Sequence, residues 1–164
     1  MKKQAGFTLI EIAVVLVIIG LLIGGVLKSQ EMIANAKARS VADSFRAIST
    51  AANAYMDTYQ VLPGDDGGLA MLRARGGSWA NVFGSSAGDR DSVIGDLTMF
   101  SNTANTENTY FFAHLRAAGL LTGNPAQGDL PVNPFGGLVG VGSGGAFGIT
   151  GNAQVCMQNV PGKI

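Results

Sequence analysis

Phe7-Thr8-Leu9-Ile10-Glu11-Ile12-Ala13-Val14-Val15-Leu16-Val17-Ile18-Ile19-Gly20-Leu21-Leu22-Ile23-Gly24-Gly25-Val26-Leu27 is a run of 21 residues carrying one charge, Glu11. Coiled as an α-helix it measures about 31 Å, which matches the ~30 Å hydrocarbon core of a bilayer. Lys2 and Lys3 precede it. Two cations ahead of a single span predict a cytoplasmic N-terminus and an extracytoplasmic remainder. A secretory signal would end its apolar stretch sooner and follow it with a small-residue cleavage site. Here Lys28-Ser29-Gln30-Glu31-Met32 follows, and no Ala-x-Ala occurs in it.

The unusual residues lie before the run. Gly6, Phe7 and Glu11 put a small residue, an aromatic and a carboxylate at the cytoplasmic boundary. Lys2-Lys3-Gln4-Ala5-Gly6-Phe7-Thr8-Leu9-Ile10-Glu11 resembles the prepilin signature of type IV pilins and type II secretion pseudopilins. The resemblance implies cleavage after Gly6 by a membrane prepilin peptidase and N-methylation of Phe7. It also implies that the apolar helix is kept and that Glu11 meets the N-terminal amine of a neighbouring subunit during assembly. Glu11 has a physical reason of its own. A carboxylate is costly inside a bilayer, less so near its edge, and a negative charge is favoured in the first turn of a helix.

Outward from the span, Gln30 to Gln60 contains neither Gly nor Pro. Ala34, Ala38, Val41, Phe45, Ile48, Ala52, Tyr55 and Tyr59 recur at alternating spacings of four and three, the stripe of an amphipathic helix. One continuous helix over 7–60 is expected, about 81 Å long, ended by Pro63 and Gly64. Its stripe needs a cover, and the rest of the chain is the candidate; the heptad-like spacing leaves a coiled coil open. Many type IV pilins kink this helix with a proline. The lack of one before Pro63 leans toward pseudopilins and minor pilins.

Residues 61–164 hold 20 of the 24 glycines and all five prolines, so a turn-rich head follows a smooth rod. Leu62 to Gly68 reads as a tight turn, Leu69 to Arg75 as two helical turns, and Glu107 to Ala118 as a helix closed by Gly119. Trp79 to Phe83 and Val93 to Phe100 read as short strand fragments. Leu138–Val141, Ala146–Thr150 and Gln154–Gln158 read as strands of a small antiparallel sheet packed on the rod. The fold class expected is α+β and pilin-like: a long N-terminal helix packed on a small Gly-rich antiparallel β head. The organisation expected is a cleaved basic leader 1–6, a transmembrane and assembly helix 7–27, its amphipathic continuation 28–60, and an extracytoplasmic head 61–164. The end at Val160-Pro161-Gly162-Lys163-Ile164 reads as truncated or unusually short.

Composition narrows the chemistry. Lys+Arg and Asp+Glu are 11 each, and charged residues are 13% of the chain, which argues against a nucleic-acid binder. One Cys and one His exclude an intrachain disulfide framework and a Cys/His zinc cluster. No enzyme site is expected. Gly140-x-Gly142-x-x-Gly145 matches a dinucleotide fingerprint in letters only, since Ala146-Phe147-Gly148-Ile149-Thr150 after it is poor helix material. His114 reads as a packed side chain and Cys156 as a small buried hydrophobe. Asp89 and Asp91, and less so Asp65 and Asp66, are candidate oxygen ligands for Ca²⁺, which major pseudopilins bind in the head. Trp79, close after Gly76-Gly77, is the candidate exposed contact for a partner. The function expected is a structural subunit of a type IV pilus-like or type II secretion pseudopilus filament in the bacterial inner membrane. Its partners would be prepilin peptidase, homologous subunits and the inner-membrane assembly platform. A second reading is a non-polymerising, membrane-anchored binding protein that retains a prepilin leader.

Overall fold

A computed structural model gives the structure of residues 6, 8–84, 88–95, 99–100, 106–143 and 153–162. The expected strand Ala146–Thr150 lies outside them. Helix α1 spans Leu9–Tyr59 without interruption, and its length follows from the lack of proline and of any glycine after Gly25. The chain divides at Arg39/Ser40 into two units.

Within the first unit, α1 is apolar on every side from Ile12 to Leu27. The large side chains from Ile12 to Leu27 are between 45% and 74% exposed, and the mean hydropathy of the most apolar 18 residues is 2.9. A helix that is hydrophobic all round needs an apolar surrounding.

In the second unit Ile48, Ala51 and Tyr55 of α1 are buried, with Ala52 and Tyr59 packed beside them. Phe45, on the same stripe, is 43% exposed. The cover on the stripe therefore starts at Ile48, and Ala51 joins it from an adjoining position. Opposite stands α3, Glu107–Ala117, whose Phe111, Phe112, Ala113, His114 and Leu115 are all buried. Its C-terminus is a Schellman cap. Gly119 takes φ +72°, Gly119 N–H donates to Arg116 C=O at 3.0 Å, and Leu120 N–H donates to Leu115 C=O at 2.9 Å.

Strands β1, Val139–Gly142, and β2, Gln154–Met157, pair antiparallel with Val139 opposite Met157 and Gly142 opposite Gln154. β1 is buried along its length and packs on α3. A cleft of about 720 Å³ lies between α1 and the sheet, floored by Met56, Phe111, Val141 and Val155. Cys156 is half-buried in β2 rather than enclosed, because β2 is the less covered of the two strands.

Between α1 and α3 the described residues fold into turns and short helical pieces. α2 is a short helix, Leu69–Arg73. Trp79 does not begin a strand. Gly76 and Gly77, with φ +72° and +56°, start a 3-10 turn over Gly77–Trp79, and Trp79 N–H donates to Gly76 C=O at 3.1 Å. Nor do the described residues of 93–100 form a strand.

Gly64 shows how closely these turns approach α3. It has φ +93°, and a Cβ placed there would lie 2.6 Å from the Glu107 carbonyl oxygen and 3.1 Å from the Phe111 nitrogen. Gly76 is also left-handed but faces open space. Gly76→Ala should therefore cost about 1–2 kcal/mol, the ordinary left-handed penalty, and Gly64→Ala at least twice as much. Thermal unfolding of the two variants side by side in detergent checks the ranking; equal losses would contradict it.

Candidate functional site

Two places combine polar chemistry with an unusual setting. The first is the start of α1. Thr8 is its N-cap. The Thr8 N–H and the Thr8 hydroxyl both donate to Glu11 Oε2, each at 2.7 Å, and Glu11 N–H returns a long bond to Thr8 Oγ1 at 3.4 Å. This is a capping box, in which residue and cap satisfy each other's otherwise unpaired groups. The first helical bond runs from Ile12 N–H to the Thr8 carbonyl at 3.4 Å, so Gly6 stands outside the helix. Thr8-Leu9-Ile10-Glu11 has the Thr-x-x-Glu spacing of such a box, a legible signal that the sequence reading passed over. Glu11 is thus an acid whose carboxylate is held toward the N-terminal end of the helix.

The second place is the turn after α1. Asp65 and Asp66 are buried, 1% and 0% exposed. Asp65 faces the segment 88–95. Its Oδ1 accepts the Arg90 N–H and its Oδ2 accepts the Ser92 N–H at 2.8 Å. Gly88 lets that segment in: a Cβ there would lie 2.2 Å from Asp65 Cα. Asp66 faces the other way. It accepts the Tyr55 hydroxyl, Arg75 Nη1 at 2.7 Å and Arg90 Nη2 at 3.3 Å. Burial and the neighbouring Asp66 charge push the Tyr55 hydroxyl far above its usual range. The Arg75 guanidinium lies 4.4 Å over the Tyr59 ring and 4.7 Å over the Trp79 ring, a cation–π sandwich.

Trp79 is therefore not an exposed partner contact. It is 6% exposed, its ring centroid 5.6 Å from Tyr59 and 5.8 Å from His114, with Arg75 over its face. The glycines beside it turn the indole inward instead of baring it. His114 is packed as expected, 1% exposed, and its Nδ1 accepts the Gly64 N–H at 3.0 Å.

Asp89 joins a group of carboxylates that does not include Asp91. Asp91 accepts the Val93 N–H at 2.8 Å within its own turn. Asp89 instead meets Asp65 and Glu107, all three offering oxygens within 4.8 Å of one another. Glu107 was missed in the sequence because 42 residues separate it from Asp65. Three carboxylates are the right donors for a hard cation, but Ca²⁺ takes six to eight oxygens. Both Asp65 oxygens already hold backbone amides, and Glu107 accepts the Gly95 N–H. In the structure Asp65 and Glu107 accept amide protons of the 88–95 segment.

The crowding has a price in charge. Burial raises the Asp65 and Glu107 carboxyls above their usual range, amide hydrogen bonds pull them back, and repulsion from Asp89 and Asp91 adds to the rise. A carboxyl raised in the folded state favours folding most in acid, and that contribution fades as pH climbs through the raised value. Glu107→Gln keeps an acceptor for Gly95 and removes the charge. It should raise the melting temperature by a few degrees at pH 7, with the gain shrinking toward pH 4; a loss at pH 7 would show that the charge itself holds the loop.

Residues 1–27 match the family model described as the prokaryotic N-terminal methylation motif. The chain thus carries a prepilin-like N-terminal signature, and its α+β architecture of long helix and small antiparallel sheet fits a pilin-like fold. Proteins with that motif are structural subunits rather than enzymes. No curated protein and no solved structure matches the chain.

Proposed function

We propose that this chain is a structural subunit of a type IV pilus-like or type II secretion pseudopilus filament. The observation that carries the reading is the methylation motif over residues 1–27, joined to a helix apolar on all sides from Ile12 to Leu27. Prepilin peptidase cuts between Gly6 and Phe7 and the new N-terminus on Phe7 is methylated. The mature chain sits in the bacterial inner membrane as a single span, N-terminus cytoplasmic and head outside. The division into leader 1–6, membrane helix 7–27, amphipathic continuation 28–60 and head 61–164 belongs to the same proposal.

Assembly replaces lipid around the span with the spans of homologous subunits, delivered through an inner-membrane platform. In a medium without water an ammonium and a carboxylate that meet gain far more than they would in solvent. Glu11 supplies the carboxylate and the methylated Phe7 amine of a neighbour the cation. The capping box keeps the acid supplied with donors until that exchange.

Mass spectrometry of the chain recovered from membranes tests the processing; the expected N-terminus is N-methyl-Phe7, and retention of residues 1–6 would sink the proposal. Glu11→Gln keeps the shape and the capping acceptor but loses the charge. Filament yield should fall at least tenfold while the head unfolds at the parent's temperature. Wild-type yield from that variant would overturn the role of Glu11. A subunit ladder from cysteines engineered near Glu11 is expected, and its absence would favour the lone membrane-anchored binding protein.

A further inference from the structure

The turn Leu62–Gly67 rests on α3 through one titratable acceptor. Gly64 N–H donates to His114 Nδ1 at 3.0 Å, so that nitrogen must be unprotonated for the turn to be bonded. The ring has no room to turn away. It is 1% exposed, stacked 6.3 Å from Tyr55 on one side and 6.3 Å from Tyr110 on the other, with Trp79 at 5.8 Å. The same turn carries Asp65, which holds Arg90 and Ser92, and Asp66, which holds Tyr55, Arg75 and Arg90. Losing the Gly64 bond therefore frees not one contact but the anchor of the 88–95 segment.

We propose that His114 is an acid-operated latch: protonation of its Nδ1 releases the turn 62–67 from α3, and with it the segment 88–95, while α1 and α3 stay packed. A protonated ring presents N–H to N–H at Gly64, and the donor has no replacement acceptor. The charged groups facing the ring are Asp66, which draws a proton in, and Arg75, which repels one; Tyr55 and Tyr110 stack on its faces. Asp65 and Glu107, one step further away, act in the opposite sense because acid relieves their mutual repulsion. The latch has therefore to be read as the difference between the parent and a variant without the imidazole.

The size of that difference follows from linkage. Burial holds His114 down to about 4 when closed, against 6.5 for a free imidazole. The neutral ring supports the closed turn fully above pH 6.5, and that support is lost as pH falls through the folded value. The opening constant rises across that window, with about 300-fold as its ceiling, reached only when opening bares the ring fully to water.

Hydrogen exchange of the full chain in detergent, corrected for intrinsic rates, tests this between pH 7 and pH 4. Three proteins are compared: the parent, His114→Asn, whose side-chain oxygen replaces Nδ1 as an acceptor without titrating, and His114→Phe, which has no acceptor. In the parent, amides in 62–67 and 88–95 should lose protection on acidification, relative to His114→Asn, by at least about tenfold, while 107–117 keeps its own. His114→Phe should be open in these segments at both pH values. Parent and His114→Asn losing protection alike would overturn the latch, as would loss spread evenly over α3. Should the variants fail to fold, the parent's imidazole titration by NMR decides: the Gly64 amide must lose protection as the ring protonates, and an amide still protected after the ring has titrated refutes the proposal.

Discussion

Two adjacent buried carboxylates facing opposite ways are the constraint on which the head depends. A buried charge is tolerated only when it is paired and hydrogen-bonded. Asp66 meets the condition with a phenol and two guanidinium groups, Asp65 with two backbone amides. Each demand recruits a different stretch of chain: α1 through Tyr55, the residues after α2 through Arg75, and the 88–95 segment through Arg90 and Ser92. Removing one partner of such a pair leaves an uncompensated charge, which costs more than the pair itself contributes. The turn is consequently a point where many loops are ordered by few bonds.

Around it the aromatic side chains supply bulk and the glycines supply proximity. Tyr55, Tyr59, Trp79, Tyr110 and His114 form one connected group of rings. Gly64 and Gly88 bring backbone against backbone on either side of Asp65. The high glycine content of the head is in this sense part of its packing, since a side chain at either position would separate the layers that the carboxylates join.

Much of the helical framework was legible. Between Gly25 and Gly64 nothing interrupts α1, and the apolar spacing of four and three continues to Tyr59. Gly119 marked the end of α3 through the local chemistry of a left-handed cap. The signals that failed were those that depend on distant residues. Trp79, just after Gly76-Gly77, reads as exposed unless one knows that Tyr55, Tyr59 and Arg75 close over it. Asp89 and Asp91 read as a pair because they are near in sequence, whereas Asp89 meets Glu107, 18 residues on, and Asp65, 24 residues back. Thr8 differs, since its spacing to Glu11 carried the information locally.

The membrane-compatible half of α1 has a uniform apolar surface from Ile12 to Leu27. A cylinder of that kind, placed in lipid, has no preferred side. Turning it about its long axis exchanges one apolar face for another, the one bearing Ala13, Gly20 and Gly24 being the least bulky. The symmetry is broken at one point, where Thr8 fixes the direction of the Glu11 carboxylate. A single polar vector at one end thus marks one direction around the axis for the whole span.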